Sequence, residues 1–419
     1  MIAEDRATEA LLELIRFRDE RAPASPIQLD EPGWKLFTSA AVRHGLAPLA
    51  YARLGESGAR FGVPERVLRV LKVHFLRTGL ENLRLYARLA AALHALAVEA
   101  IDAIVLKGAF LAEAVYGDRA LRPMADADIL VRRDHLRQVE RLLHAQGWRQ
   151  EPDDAAADLT GHQLPTFVLD AVQIEIHWSI EDDESPFAID SDGLWKRACQ
   201  RSVAGQPALA LCPEDLLLHL CLHTTYAHGW LQFGGGLRSF YDIAAVIGHY
   251  ADRFDWGAFV LRANAWRCRN CALLTLLLAR DLMGAAVPER ALDQLASHPV
   301  DPGLVKIATD LTLGVHYVEV ARCLPALGKS WLTKRWWNLP RAARWRRHLF
   351  PKPRSLVASY PRLGASATTP LHYLAHWAAL ARDCARVALA RNGRVLLARE
   401  RRRRALAEWL ESSAMNWKT

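Results

Sequence analysis

Long apolar runs are missing from this 419-residue chain. No stretch approaches the roughly 20 uninterrupted apolar residues of a membrane-spanning helix. The segment 272–279 is short and already broken by Thr275. The opening Met1-Ile-Ala-Glu-Asp-Arg6 is charged, and no apolar core follows it. A secretory leader is therefore not expected. Cysteine is sparse: seven residues, at 199, 212, 221, 268, 271, 323 and 384. An odd, low count argues against a disulfide scaffold and for a reducing cytoplasm. Cys268 and Cys271 have CxxC spacing, but no second CxxC or nearby His pair completes a zinc site, so they read as structural residues at a helix start. Glycine (24) and proline (20) are too few for a collagen-like or low-complexity chain. With 51% hydrophobic and 24% charged residues, the composition is that of a globular protein large enough for two or three domains.

Acidic charge is nearly absent from one region. Residues 331–419 hold 19 Lys+Arg against 4 Asp+Glu, whereas the rest holds 35 against 42. The same segment carries 7 of the 14 tryptophans. A basic, Trp-rich tail suits an anionic partner, either nucleic acid or a membrane surface. The simpler reading is a helical segment with Arg facing solvent and Trp facing the body, and Arg399-Glu-Arg-Arg-Arg-Arg404 continues such a pattern.

Apolar spacing near 3.6 predicts helices from Glu9 to Phe17, from Pro32 to about His44, and from Pro64 to about Ala97. The pattern then changes. Ile101 to Leu106 reads as a strand broken by Lys107-Gly108, and Ala109 to Tyr116 reads as a helix. Asp126 to Val131 reads as a second strand. Asp134 is expected to cap a helix over His135 to Gln146 that Gly147 closes. Two runs flanking Asp170-Ala171, Thr166 to Leu169 and Val172 to Trp178, read as a hairpin. From Pro213 the chain again reads as helical, strongly so over Glu214 to His223 and Ser239 to His249. The expected architecture is α+β: an N-terminal helical region (1–98), a small mixed-sheet core (99–185), a helical domain (186–330) and the basic Trp-rich helical tail (331–419).

The chemistry sits in the core. Asp126 and Asp128 are two apart on a strand, so both carboxylates share one face. Such like charges repel unless a cation lies between them, and carboxylate oxygens suit Mg²⁺. Glu175, on the strand Gln173-Ile-Glu-Ile-His-Trp178, offers a third carboxylate, with His177 on the same face. Three acidic ligands can hold two metal ions in the clamp used for in-line phosphoryl transfer. Gly108 ends a strand and opens a helix, where phosphate can approach free backbone N–H groups. Lys107 and Arg122 bring positive charge to the same end. His219 and His223, four apart on a helix, read as packing or as lining of an acceptor pocket, with His228 nearby. Asp242 reads as an i−4 ion pair with Arg238. Gly234-Gly-Gly236 reads as a turn.

Lys107-Gly108, a helix, and then Arg122-x-x-x-Asp126-x-Asp128-Ile-Leu-Val131 resembles the polymerase-beta-like nucleotidyltransferase superfamily. More closely, it resembles a bacterial family of uncharacterised nucleotidyltransferases, whose third-carboxylate strand is similar to Ile174-Glu-Ile-His-Trp178 and whose helical part is similar to Pro213 to His223 with Leu237 to Asp242. The resemblance implies an enzyme that moves a nucleoside monophosphate from an NTP to an acceptor hydroxyl and releases pyrophosphate. It implies Asp126, Asp128 and Glu175 as metal ligands and catalytic residues for Mg²⁺ or Mn²⁺. Lys107, Gly108, Ala109, Arg122 and His177 would lie at the nucleotide. The acceptor stays unidentified. Ala109 departs from the superfamily's usual Gly-Ser or Gly-Gly pair. That departure favours the alternative: an inactive relative acting as a binding or scaffold protein, docked through its basic tail to anionic lipid or nucleic acid. A cytoplasmic protein, or one peripheral at a membrane, fits either reading.

Overall fold

The structure is a computed structural model, and it describes residues 3–16, 26–55, 61–151, 161–182, 185–226, 236–313, 349–350, 370–389, 402 and 405–414. The chain forms two compact units. The first comprises residues 1–224, 235–299 and 413–419, and the second comprises 225–234 and 300–412. His228, Gly234, most of the basic tail and Cys323 lie outside the described residues. Among the described residues, no helix is long and apolar enough to cross a membrane.

The first unit is built on a seven-stranded mixed sheet flanked by helices. The strands are β1 (Ile104–Val105), β2 (Asp126–Leu130), β3 (Arg149–Gln150), β4 (Phe167–Leu169), β5 (Val172–His177), β6 (Cys199–Val203) and β7 (Gln206–Ala210). Their order across the sheet is β3-β4-β5-β2-β1-β7-β6. β2 runs parallel to β5 and antiparallel to β1, and β1 runs parallel to β7. Ala127, Ile129, Ile174 and Ile176 are all 0% exposed and pin the centre of the sheet. The alternate residues, the acidic ones, are thereby forced onto the opposite face. The β4–β5 hairpin turns at Asp170-Ala171, both with positive φ, as a two-residue turn of right-handed strands requires.

Four helices precede the sheet: α1 (Ala3–Ile15), α2 (Glu31–Arg43), α3 (Ala47–Leu54) and α4 (Glu65–Val98). Asp30 caps α2 by accepting a hydrogen bond from Gly33 N at 2.8 Å. After β1 the chain makes one helical turn, α5 (Lys107–Phe110), which widens into a π-helical turn over Leu111–Val115. The helix after β2 starts later than expected. Arg133–His135 is a 3-10 turn, and α6 spans Leu136–Ala145 with no side-chain cap, so Asp134 does not serve as its cap. Gly147, with φ +90°, closes it. α7 (Ser191–Arg197) leads to β6. α8 (Pro213–Thr225), α9 (Leu237–Tyr250), α10 (Trp256–Ala265), α11 (Arg269–Met283) and α12 (Glu289–Leu295) follow. The buried Cys268 and Cys271 stand at the start of α11.

One sequence expectation is corrected here. The segment beyond 185 is not helical throughout: β6 and β7 form a hairpin that adds to the sheet beside β1. β6 is largely polar and exposed, and β7 is apolar over Pro207 to Ala210 without alternation, so neither shows the pattern that marks a strand. Its turn is Ala204-Gly205, both with positive φ.

The second unit includes α13 (Pro302–Leu313) and a helix over Pro370–Leu389. On the latter, Trp377 donates to Leu349 O at 2.6 Å and stacks edge-on against Phe350.

Candidate active site

β2 and β5 place the acidic residues by register. Parallel pairing sets Asp128 opposite Glu175 and Asp126 opposite Gln173. His177 follows two residues after Glu175 and so points the same way. Leu106 N donates to Asp128 O at 2.9 Å, which brings the end of β1 alongside Asp128 and delivers Lys107 to it. Lys107 has φ +35°, a conformation uncommon outside glycine. Its ammonium lies 3.1 Å from Asp128 Oδ1, and both side chains are almost fully enclosed.

His177 is wholly buried, with Nε2 3.0 Å from Asp128 Oδ1 and 3.5 Å from Glu175 Oε2. Thr166 Oγ1 reaches Glu175 Oε1 at 3.5 Å. One donor atom each from Asp128, Glu175 and His177 lies within 4.8 Å of the others, close enough for one ion to touch all three. Asp126 belongs to the same charge cluster but not to this tight triad.

The electrostatics follow from crowding. Burial raises the Asp126 carboxyl, and the neighbouring Asp128 and Glu175 add to the effect, so it reaches about 6. Burial also opposes charge on Asp128, but Lys107 and His177 outweigh it and hold this carboxyl well below its ordinary value. Glu175 is likewise lowered, the His177 hydrogen bond overcoming its burial. Burial alone would lower the His177 imidazole; its bonds to Asp128 and Glu175 raise it instead. Three carboxylates thus share one lysine and one imidazole, and the raised Asp126 marks the negative charge left over. A hard divalent cation fits that donor set, and the imidazole extends the fit toward Mn²⁺.

Gly108 and Ala109 are buried in the first turn after β1, where Tyr86 Oη donates to Ala109 O. A Cβ on Gly108 would stand 2.7 Å from Arg122 Nη1 and 3.2 Å from Met124 Sδ. The absent side chain therefore makes room for Arg122. That guanidinium is buried in a two-point pair with Asp242, Nε to Oδ1 at 2.9 Å and Nη2 to Oδ2 at 2.8 Å. Tyr116 Oη donates to the same carboxylate at 2.6 Å. The Arg238–Asp242 pair expected from i−4 spacing does not form. Asp242 is taken by Arg122, 120 residues away, and Arg238 Nη1 donates to Pro123 O at 2.6 Å.

Sequence reasoning missed His162. Its ring lies 5.3 Å from that of His177, and its Nδ1 lies 2.5 Å from Asp182 Oδ1. The only signal was a lone histidine upstream of β4, and isolated β-bridge pairing of Gln163 with His177 brings it in. His219 on α8 is buried, and its imidazole is held well below the ordinary value by that burial and by Lys107. His223 stands one turn on, with rings 6.4 Å apart.

A family of uncharacterised nucleotidyltransferases has a sequence profile that matches residues 30–284, more than half of the chain. The chain belongs to that family. The match spans β1 to β7 and the helices α2 to α11. Among solved structures, the solution structure of the antibiotic-resistance factor ANT(2'')-Ia is similar at 14% identity. It covers 46% of this chain and 96% of that one, with a TM-score of 0.31, a likeness too slight to bear on geometry. No curated protein matches the sequence.

Proposed function

We propose that this nucleotidyltransferase-family chain is a metal-dependent enzyme that transfers a nucleoside monophosphate from an NTP to an acceptor hydroxyl and releases pyrophosphate. The observation that carries the reading is the register of β2 against β5, which sets Asp128 opposite Glu175 and aims His177 between them, beside Lys107. Asp126, Asp128 and Glu175 would hold the Mg²⁺ or Mn²⁺, with His177 as a further ligand. Held by these residues, a metal would supply a lower pKa for an acceptor hydroxyl and charge neutralisation for the transferring phosphate. The oxygen of that hydroxyl forms a bond to the α-phosphorus as the bond to the bridging oxygen breaks in line, and its proton passes to a carboxylate. Lys107 keeps its ammonium at the same edge, where it balances Asp128. The buried floor of Ala127, Ile129, Ile174 and Ile176 keeps the carboxylates from turning away. Donor base and acceptor are left open by these residues, which see only phosphate, metal and hydroxyl.

A second reading, a relative that binds nucleotide without transferring it, is favoured by Ala109 and by the commitment of Arg122 to Asp242. Thermal stabilisation by each of the four NTPs, with and without Mg²⁺ or Mn²⁺, tests the site in the wild type and in Asp128→Asn. A metal-dependent shift with one NTP, lost in the variant, is the expected result. No shift with any NTP and either metal refutes a nucleotide site. Release of pyrophosphate from the NTP so identified, in an acceptor screen, then separates transfer from binding alone.

A further inference from the structure

Among the described residues, Arg238 has no ion-pair partner, and its side chain is half-buried. It is the second residue of α9, and its Nε is fully enclosed with no acceptor. Its one hydrogen bond among the described residues goes to the neutral Pro123 carbonyl. No carboxylate of the described residues lies within ion-pair distance of it. The partner that helical spacing would supply, Asp242, is occupied on both oxygens by Arg122 and on one also by Tyr116. Two guanidiniums therefore share one carboxylate, and Arg238 is the one left over. Burial, reinforced by Arg122, pulls it below its ordinary value.

A half-buried guanidinium with no ion-pair partner among the described residues can take up an anion. Its surroundings indicate which anion. Pro123 lies three residues before Asp126, which is within Arg238's electrostatic surroundings. Arg122, the adjacent guanidinium, abuts the Lys107-Gly108 turn at the position a Gly108 side chain would fill. Arg238 thus holds the loop three residues before the first carboxylate, on the side of α9 and Arg122.

Resting on the nucleotidyl-transfer reading above, we propose that Arg238 is the residue that recognises the non-transferred phosphates of the NTP. It pairs its free guanidinium donors with the anion that leaves as pyrophosphate. The planar fork of arginine suits two phosphate oxygens at once, which lysine does not match.

The test uses the full chain, Mg²⁺ and inorganic tripolyphosphate, with orthophosphate as the low-charge comparison, read by titration calorimetry. Wild type binds tripolyphosphate. Arg238→Gln weakens that binding at least tenfold, about 1.4 kcal/mol, and weakens orthophosphate less. Arg238→Lys recovers part of the loss. A purely structural role for Arg238 would lower both anions alike, and that result overturns the proposal. So does an affinity within twofold of wild type in a folded Arg238→Gln, provided that Asp128→Asn abolishes the Mg²⁺-dependent part. If Arg238→Gln does not fold, the ratio of tripolyphosphate to orthophosphate affinity in Arg238→Lys decides, and an unchanged ratio refutes the assignment. A wild type that binds neither tripolyphosphate nor any NTP removes the nucleotide site itself, and this role with it.

Discussion

Two buried charge clusters in the first unit are built from similar groups and behave oppositely. In one, Asp215 at the start of α8 is 0% exposed and accepts from Arg197 Nε at 2.8 Å and Arg262 Nη1 at 3.1 Å. Glu214 beside it accepts from Asp255 N at 3.0 Å and from Arg262. Two buried carboxylates meet two guanidiniums, Arg197 also touching the exposed Asp190 Oδ2 at 3.4 Å, and the buried charges cancel. In the other, Asp126, Asp128 and Glu175 share Lys107 and His177, and Asp126 is left with a carboxyl raised to about 6. The first cluster ties α7, α8 and α10 together. The second keeps an excess of carboxylate, which on the proposed reading a metal ion would offset. A satisfied ionic network reads as structure, whereas a deficit of one sign reads as a binding site.

The comparison breaks most sharply at Asp215. Asp215→Ala leaves two guanidiniums facing a void, and we expect a loss of about 3 kcal/mol in urea unfolding. Asp126→Asn gives the opposite pattern. It removes the carboxyl that burial and its acidic neighbours raise to about 6, so the unliganded protein keeps its stability to within about 1 kcal/mol. What it loses is ligand stabilisation, about 2.7 kcal/mol at a ligand concentration of 100 Kd. If Asp126→Asn unfolds the protein as readily as Asp215→Ala, the two clusters do not differ in kind.

Two imidazoles sharpen the same contrast. His177, flanked by carboxylates, is raised, whereas His44, buried with Arg43 nearby and no carboxylate, is lowered to about 4 by that burial. Gly236, with φ +54°, packs on His44: a Cβ there would stand 2.3 Å from His44 Nδ1. Gly236→Ala is expected to cost about 2 kcal/mol, through the clash and the left-handed backbone together, read as a drop in melting temperature. The smallest effect is His44's own pH dependence. A base whose folded pKa is depressed adds stability that is full above about 6.5 and is lost as pH falls toward 4. Between pH 7.5 and 5.5 that loss is about 1 kcal/mol. Urea unfolding at both values should show it in wild type and not in His44→Gln; an equal slope in both assigns the loss elsewhere.

Much of the site was legible in the order of residues. Period-2 spacing puts Asp126 with Asp128 and Glu175 with His177, because side-chain alternation is a local property of a strand. The turn at Asp170-Ala171 and the helices α2, α4 and α9 were legible for the same reason. The β6–β7 hairpin was not, because the polar edge strand β6 and the short apolar run of β7 carry no apolar alternation, and β7 joins the sheet beside β1 through a long-range pairing. The partner of Asp242 was not legible either. Helical spacing offered Arg238, but the turn that brings Arg122 across from another element is invisible along the chain, and a two-point guanidinium pair outcompetes an i−4 contact.

The sequence by itself determined which residues carry carboxylates, which faces they share, and that their like charges crowd one face. These follow from strand geometry and Coulomb repulsion, which require no long-range contact. Tertiary structure alone decided that β2 lies parallel and in register with β5, so that Asp128 meets Glu175 and His177. It also decided that Arg122 spends its charge on Asp242 while Arg238 keeps its own. Pairing across tens to more than a hundred residues depends on how the sheet and α9 pack, and burial makes those pairings strong enough to choose one arrangement over the other.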